Sequence, residues 1–215
     1  MLLESACPVS GYDPRMIESK ETLRALYPRA KERAVRKQID HLDRHCLRFI
    51  SLSPFVVLAS GNRDGQFDAS PRGGEPGFVK APDRGTLLVP DAPGNNRLDT
   101  LENILSTGSV GLLFLIPGVD ETLRVNGKAR LRDDTAALQA FAGEKRTPKL
   151  AIEVGVEHAY LHCAKAFMRS RLWHAEARVE RAVLPTIGQM ISEQTGLPSP
   201  AETQAQMLER YKADL

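Results

Sequence analysis

Two glycine-rich stretches of the chain each carry one arginine: DASPRGGEPG (68–77) with Arg72, and PDAPGNNRLD (90–99) with Arg97. Glycine lets backbone approach a ligand closely, and a guanidinium offers planar donors that match phosphate or carboxylate. Asn95 or Asn96 stands where it can cap a helix beginning near Arg97 or Leu98, with Asp99 in the first turn. A helix start beside a guanidinium has the makings of a phosphate site. The same residues also suffice for two tight loops and an ordinary cap, and their types alone leave both readings open.

Other clusters carry less. His41 and His45, like His158 and His162, stand four apart, but neither pair has an HExxH pattern or a third ligand, so no metal site is expected. Cys163 follows His162, yet adjacent side chains point apart on helix or strand, which favours a buried, inert cysteine over a nucleophile. The stretch LHCAKAFMRSRLW brings together His162, Lys165, Arg169, Arg171 and Trp173. It reads equally as a cationic wall of a pocket and as an amphipathic helix with surface cations. No G-x-G-x-x-G follows a strand, and no P-loop is present.

These residues need elements to hold them. The stretch from Ser19 to Ile50 reads as helix, with Val35, Ile39, Leu42, Cys46 and Phe49 on one face and Pro28 opening a second helical segment. From Pro54 the pattern turns to short strands: FVVLAS and QFDAS joined by an Asp-Gly turn, then FVKAP, TLLVP, SVGLLFLIP and TLRVNGKARL. In the last, Leu123, Val125 and Ala129 alternate with Arg124, Asn126 and Lys128. RLDTLENIL and DDTAALQAFA read as short helices, LAIEVGVEHAYL as a further strand, and SPAETQAQMLERYKADL as a proline-started helix. Close-spaced strands with one or two helices between them predict a small antiparallel barrel rather than a parallel βαβ sheet.

Composition narrows the function classes. Among 215 residues, 29 basic and 27 acidic side chains leave a net charge of +2, with no basic stripe of the kind nucleic-acid binders show. No apolar run approaches a membrane span, and the first residues lack the basic start of a signal peptide. The three cysteines, Cys7, Cys46 and Cys163, are scattered and form no CxxC, which points to a reducing compartment and a cytoplasmic protein.

The order DASPRGGEPGFV … TLLVPDAPGNNRLDTLENIL … VGLLFLIPG … ETLRVNGKARL resembles the pyridoxamine-phosphate-oxidase-like family of FMN-binding split β-barrels, over roughly residues 53–132. The late HCAKAFMRSRLW is similar to an uncharacterised FMN-dependent branch of that family. The resemblance implies a mainly β fold with α (α+β): a split antiparallel β-barrel at 53–175, after an N-terminal helical extension at 1–52. A C-terminal helical segment, 176–215, then packs on the barrel. It implies FMN as cofactor, held by Asp68, Ala69, Ser70, Pro71, Arg72 and Gly73 along the ring and ribityl chain. Pro90 and Asp91 come next, and Asn95, Asn96 and Arg97 sit at the phosphate in place of the family's usual Arg-Lys pair. Thr122 stands where a glutamine reaches the flavin from the neighbouring subunit, and His162 where a flavin-contacting tryptophan is common. Lys165 or Arg169 is placed to neutralise a reduced flavin or an anionic substrate.

The implied protein is a cytoplasmic homodimer with FMN at the subunit interface, an oxidoreductase acting on a small-molecule substrate or electron donor. Nucleic acid and membrane are not expected partners. The family's Arg-x-His substrate motif is missing near the C-terminus, which argues against pyridoxamine phosphate as substrate. The alternative is a non-enzymatic flavin or haem carrier on the same fold, with His158 or His162 as axial haem ligands. Deazaflavin-dependent relatives are a third option.

Overall fold

A computed structural model of the protein describes residues 16–198 and 202–212. Cys7, the N-terminal residues read for a signal peptide, and Pro200 at the expected start of the last helix lie outside the described residues. The chain divides into two compact units, 1–37 and 38–215. In the first, α1 (Lys20–Ala25) starts at Ser19, whose hydroxyl accepts from the Thr22 N–H at 3.0 Å. Pro28 does not itself open the second helix; α2 (Glu32–Arg36) begins four residues later. Leu23, Leu26, Tyr27 and Val35 are all exposed.

In the second unit the long helical stretch is broken. Ile39 forms an isolated antiparallel bridge to Ala159. A fresh helix, α3 (Arg44–Leu52), starts at Asp43, whose carboxylate accepts from the His45 and Cys46 N–H groups at 2.9 and 2.8 Å. A carboxylate that satisfies two unpaired N–H groups makes a helix start, so the periodicity that runs through Asp43 does not become one helix. Leu42, Cys46 and Phe49 are nonetheless buried.

Six strands follow: β1 (Phe55–Gly61), β2 (Phe67–Gly73), β3 (Thr86–Pro90), β4 (Ser109–Leu115), β5 (Thr122–Arg132) and β6 (Ala151–His162). They form one antiparallel sheet in the order β2-β1-β4-β5-β6-β3. β2 continues past the expected QFDAS through Pro71 to Gly73. Proline is tolerated there because β2 is an edge strand, where a missing N–H costs no ladder bond. The expected strand FVKAP reduces to one bridge, Lys80 to Leu88, on the outer side of β3.

One face of the curled sheet carries the core: Val56, Leu58, Leu112, Phe114, Leu123, Val125, Ile152 and Val154. Their alternation along each strand is the period-two pattern of a sheet with one buried face. The β5–β6 register shifts at Asn126/Gly127. Gly127 is required there, since a Cβ would lie 2.0 Å from the Gly155 carbonyl oxygen.

α4 (Asp99–Thr107) packs Leu101 and Ile104 into the same core. α5 (Thr135–Leu138) and a following 3₁₀ turn bury Ala137 and Phe141 against Leu88 and Ala151. After β6 come α6 (Lys165–Ser170), α7 (Ile187–Thr195) and α8 (Gln204–Lys212). α7 falls within the stretch 176–215 expected to be helical, and its start is set by a capping box of Thr186 and Gln189, readable as T-x-x-Q. The fold is mixed α+β: a six-stranded antiparallel half-barrel with helices. No described helix is long and apolar enough to cross a membrane.

Candidate functional site

The sheet curls, so its two edge strands approach each other, and the first group of expected site residues lies at that seam. Alternation along β2 turns Asp68, Ser70 and Arg72 to one face and Ala69, Pro71 and Gly73 to the other, exposed one. Arg72 is opposite Val56, a core residue, so its side chain enters the barrel end. There its Nη1 meets the Asp91 carboxylate at 3.4 Å, just beyond the end of β3. Both side chains are largely covered, at 17% and 21% exposed, yet the contact is long and the buried Arg72 Nε has no partner among the described residues. A half-satisfied guanidinium in a covered position is costly unless another acceptor joins it.

α4 is pinned beside this seam by polar contacts as well as by its apolar face. Thr100 donates to Asp68 at 2.5 Å, Asn103 to the Ser60 hydroxyl at 3.1 Å, and Thr107 to the Gly61 carbonyl at 2.7 Å. The first of these ties the opening turn of α4 to β2. The loop leading in is tightly folded: Asn96 and Leu98 both have positive φ, 59° and 64°. Side chains rarely adopt that conformation without a reason in the surrounding structure.

Neither asparagine caps α4 as expected. The cap position falls to Leu98, which makes no side-chain cap bond, because Asn95 instead accepts from the Arg97 N–H at 3.1 Å and Asn96 takes the left-handed turn. Arg97 reaches Asp99 at 2.8 Å and is mostly exposed. That hydrogen bond raises its pKa further, with Asp68 adding to the effect at longer range.

The second group lies elsewhere on the sheet. Thr122 and His162 are cross-strand partners at one end of the β5–β6 pair, and Lys165 follows at the start of α6. Thr122 is buried, whereas Lys165 is exposed. His162 packs its ring 4.7 Å from that of Tyr160. Trp173 stacks on Phe167 at 5.5 Å and donates to the Val119 carbonyl at 3.0 Å, closing α6 against the turn before β5. β6 pairs with Pro90 at its first residue, Ala151, and with Thr122 at its last, His162, so one chain gathers Asp68–Gly73 and Asp91 at one place and Thr122, His162 and Lys165 at another.

Cys163 is exposed, not buried, since it falls in the turn that leaves β6. The buried thiol is Cys46, whose pKa burial pushes up to about 11. His41 is paired with Asp40 at 2.9 Å, and His45 accepts from Arg44 at 3.2 Å. Sequence reasoning missed Thr100, whose part in fixing Asp68 depends on a contact between residues 32 positions apart.

No curated protein matches the chain. Among solved structures, a HupZ variant of Group A Streptococcus is similar at 18% identity and a TM-score of 0.47, over 56% of this chain and 99% of that one. An FMN-binding protein from Syntrophomonas wolfei is similar at 12% identity and 0.43, over 56% and 88%. HutZ, the haem storage protein of Vibrio cholerae, is similar at 13% identity and 0.42, over 56% and 93%. Residues 42–163, more than half of the chain, match the sequence profile described as pyridoxamine 5'-phosphate oxidase, and the chain belongs to that family.

Proposed function

We propose that the protein is an FMN-binding flavoprotein, a cytoplasmic homodimer that acts as an oxidoreductase on a small molecule other than pyridoxamine phosphate. The observation that carries this reading is the seam. Arg72 holds a buried Nε without an acceptor among the described residues, and a tightly turned loop brings Arg97 to a helix start that has no side-chain cap. A helix start without a side-chain cap, beside Arg97 and tied through Thr100 to the strand that carries Arg72, suits a phosphate ester. The exposed backbone of Ala69, Pro71 and Gly73, free of large side chains, suits a flat ring laid along the edge strand.

In this reading Arg72 and Arg97 balance the phosphate charge, with Asn95 and Asn96 shaping the loop around it and Pro90 and Asp91 bounding the pocket at the end of β3. Ser70 and Asp68 face inward beside Arg72, and Asp68 is held by Thr100. Thr122, His162 and Lys165 come from a second copy. Their separation from the seam within one chain supports a pocket completed by two subunits. These residues would hold an FMN whose ring, when bound, would supply hydride-transfer chemistry, while the protein binds it, orients it and excludes water. The division into a helical extension (1–52), a flavin-binding barrel (53–175) and a C-terminal segment (176–215) belongs to the same proposal. The free thiols of Cys46 and Cys163 accord with a reducing compartment.

The test is the visible absorption spectrum of the purified protein, before and after adding FMN. Flavin bands that bleach with dithionite are expected. A haem Soret band would instead favour the carrier alternative, and a colourless protein that leaves FMN fluorescence unquenched would overturn the flavin reading.

A further inference from the structure

β5 carries four cations, and three of them are matched. Lys128 donates to the Ser109 hydroxyl at 2.7 Å, Arg130 pairs with Glu153, and Arg132 pairs with both Glu153 and Asp134. The fourth, Arg124, has no carboxylate or hydrogen-bond acceptor among the described residues, and its Nε is buried without a partner. It stands between Leu123 and Val125, both fully buried in the core, so its side chain lies on the opposite face of the sheet. Its cross-strand neighbours there are Leu113 on β4 and Tyr160 on β6.

Arg124 is not idle in that position. Its guanidinium carbon sits 4.3 Å from the centre of the Tyr160 ring, and the His162 ring lies tilted against Tyr160 with centroids 4.7 Å apart. Stacking fixes the plane of the guanidinium without satisfying its donors. A positioned, partly covered cation with unmet donors is the arrangement that receives a carboxylate or phosphate in the same plane.

The geometry points to Arg124 as the anchor for the acidic group of a small organic anion, bound on the Tyr160–His162 face. Thr122, two residues earlier on the same strand face, and its cross-strand partner His162 both belong to the proposed flavin pocket. The inference therefore rests on that reading for the pocket's role and adds that its substrate is an acid. Tyr160 supplies the flat platform, and Arg124 supplies charge and orientation.

Trp173 is the only tryptophan in the chain and is hydrogen-bonded three residues before Thr122, so its fluorescence reports on this region. The experiment titrates the full-length protein with sodium benzoate and, separately, with inorganic phosphate, at constant ionic strength. Saturable binding of at least one is expected, weakened tenfold or more in Arg124→Met and by less in Arg124→Lys, which keeps the charge but loses the planar fork. Circular dichroism checks that each variant is folded, and Tyr160→Leu, expected to weaken the same anion, stands in if Arg124→Met is not. FMN affinity, followed by quenching of flavin fluorescence, is expected to be unchanged in Arg124→Met. Three results overturn the proposal: no saturable binding by the parent protein, equal binding by Arg124→Met, or dimers that dissociate in Arg124→Met while anion affinity holds. In the last case Arg124 serves a carboxylate of the second copy. Anion binding that depends on Arg124 in a protein that takes up no FMN would uphold this assignment and remove the flavin reading.

Discussion

The seam between β2 and β3 and the outer face of β5–β6 both carry arginines, but the chain treats them differently. Around the seam, contacts from distant parts of the sequence hold the frame: Thr100 donates to Asp68, Asp91 pairs with one end of the Arg72 guanidinium, and Asn103 donates to Ser60 on the neighbouring strand, while the Arg72 Nε has no acceptor among the described residues. On the β5–β6 face Arg124 lies over the Tyr160 ring, and among the described residues no acceptor meets its Nε. Internal partners hold the seam in shape before any ligand arrives. The outer face has its cation positioned over an aromatic ring with its Nε unmet among the described residues, the feature on which the proposed anion site rests.

The largest expected effect comes from the backbone that supports the second region. Gly127→Ala forces a Cβ onto the Gly155 carbonyl, backbone against backbone, and is expected to cost about 3 kcal/mol or more in urea unfolding. A variant as stable as the parent would mean that β5 and β6 are not rigidly paired at the bulge, and the contrast between the two regions would lose its basis.

At the seam, Arg72→Met removes a covered guanidinium that the flavin reading assigns to the ligand. FMN affinity is expected to fall by roughly tenfold to a hundredfold, the range for a hydrogen bond to a charged group. If the urea midpoint falls and FMN affinity does not, Arg72 is there for Asp91 alone.

Asp43→Ala calibrates both against a position outside either region. Losing this cap is expected to cost about 1 kcal/mol. The hydrogen bond from the Cys46 N–H holds the Asp43 carboxyl below its ordinary value, so the stabilisation is fully present above the unfolded pKa of about 3.9 and is lost as pH falls through the lower folded value. The gap between parent and variant should therefore close on going from pH 5 to below the folded pKa.

The smallest effect on stability is expected for Arg97→Ala. Its pair with Asp99 is mostly exposed, and such pairs add little, so the unfolding midpoint should not move measurably. FMN retention should still weaken, increasingly so at low salt. Retention equal to the parent at every salt concentration would remove Arg97 from the phosphate site.

Much of the frame was legible because strand alternation is local. Leu123, Val125 and their neighbours declare a buried face by their spacing, and the Asp-Gly turn declares the β1–β2 hairpin. The glycine-rich segments with Arg72 and Arg97 were likewise visible as places where backbone is left open. The helix face through Val35 and Ile39 was misleading, because apolar periodicity does not distinguish a helix from a chain that lends one residue to a sheet. Ile39 does the latter, and only its bridge to Ala159, 120 residues away, decides it.

By itself, then, the sequence determined the antiparallel strands, their inward faces and the residue types available for anion binding, since each follows from chemistry within a few residues. Tertiary structure alone decided that β2 ends as an edge strand tolerant of Pro71, and that Arg72 meets Asp91 across the split in the barrel. It also decided that Leu98 rather than an asparagine opens α4, and that Arg124 lies on Tyr160 with its Nε unmet among the described residues. Each of these depends on which distant strands become neighbours when the sheet curls, and that is set by the packing of the whole core.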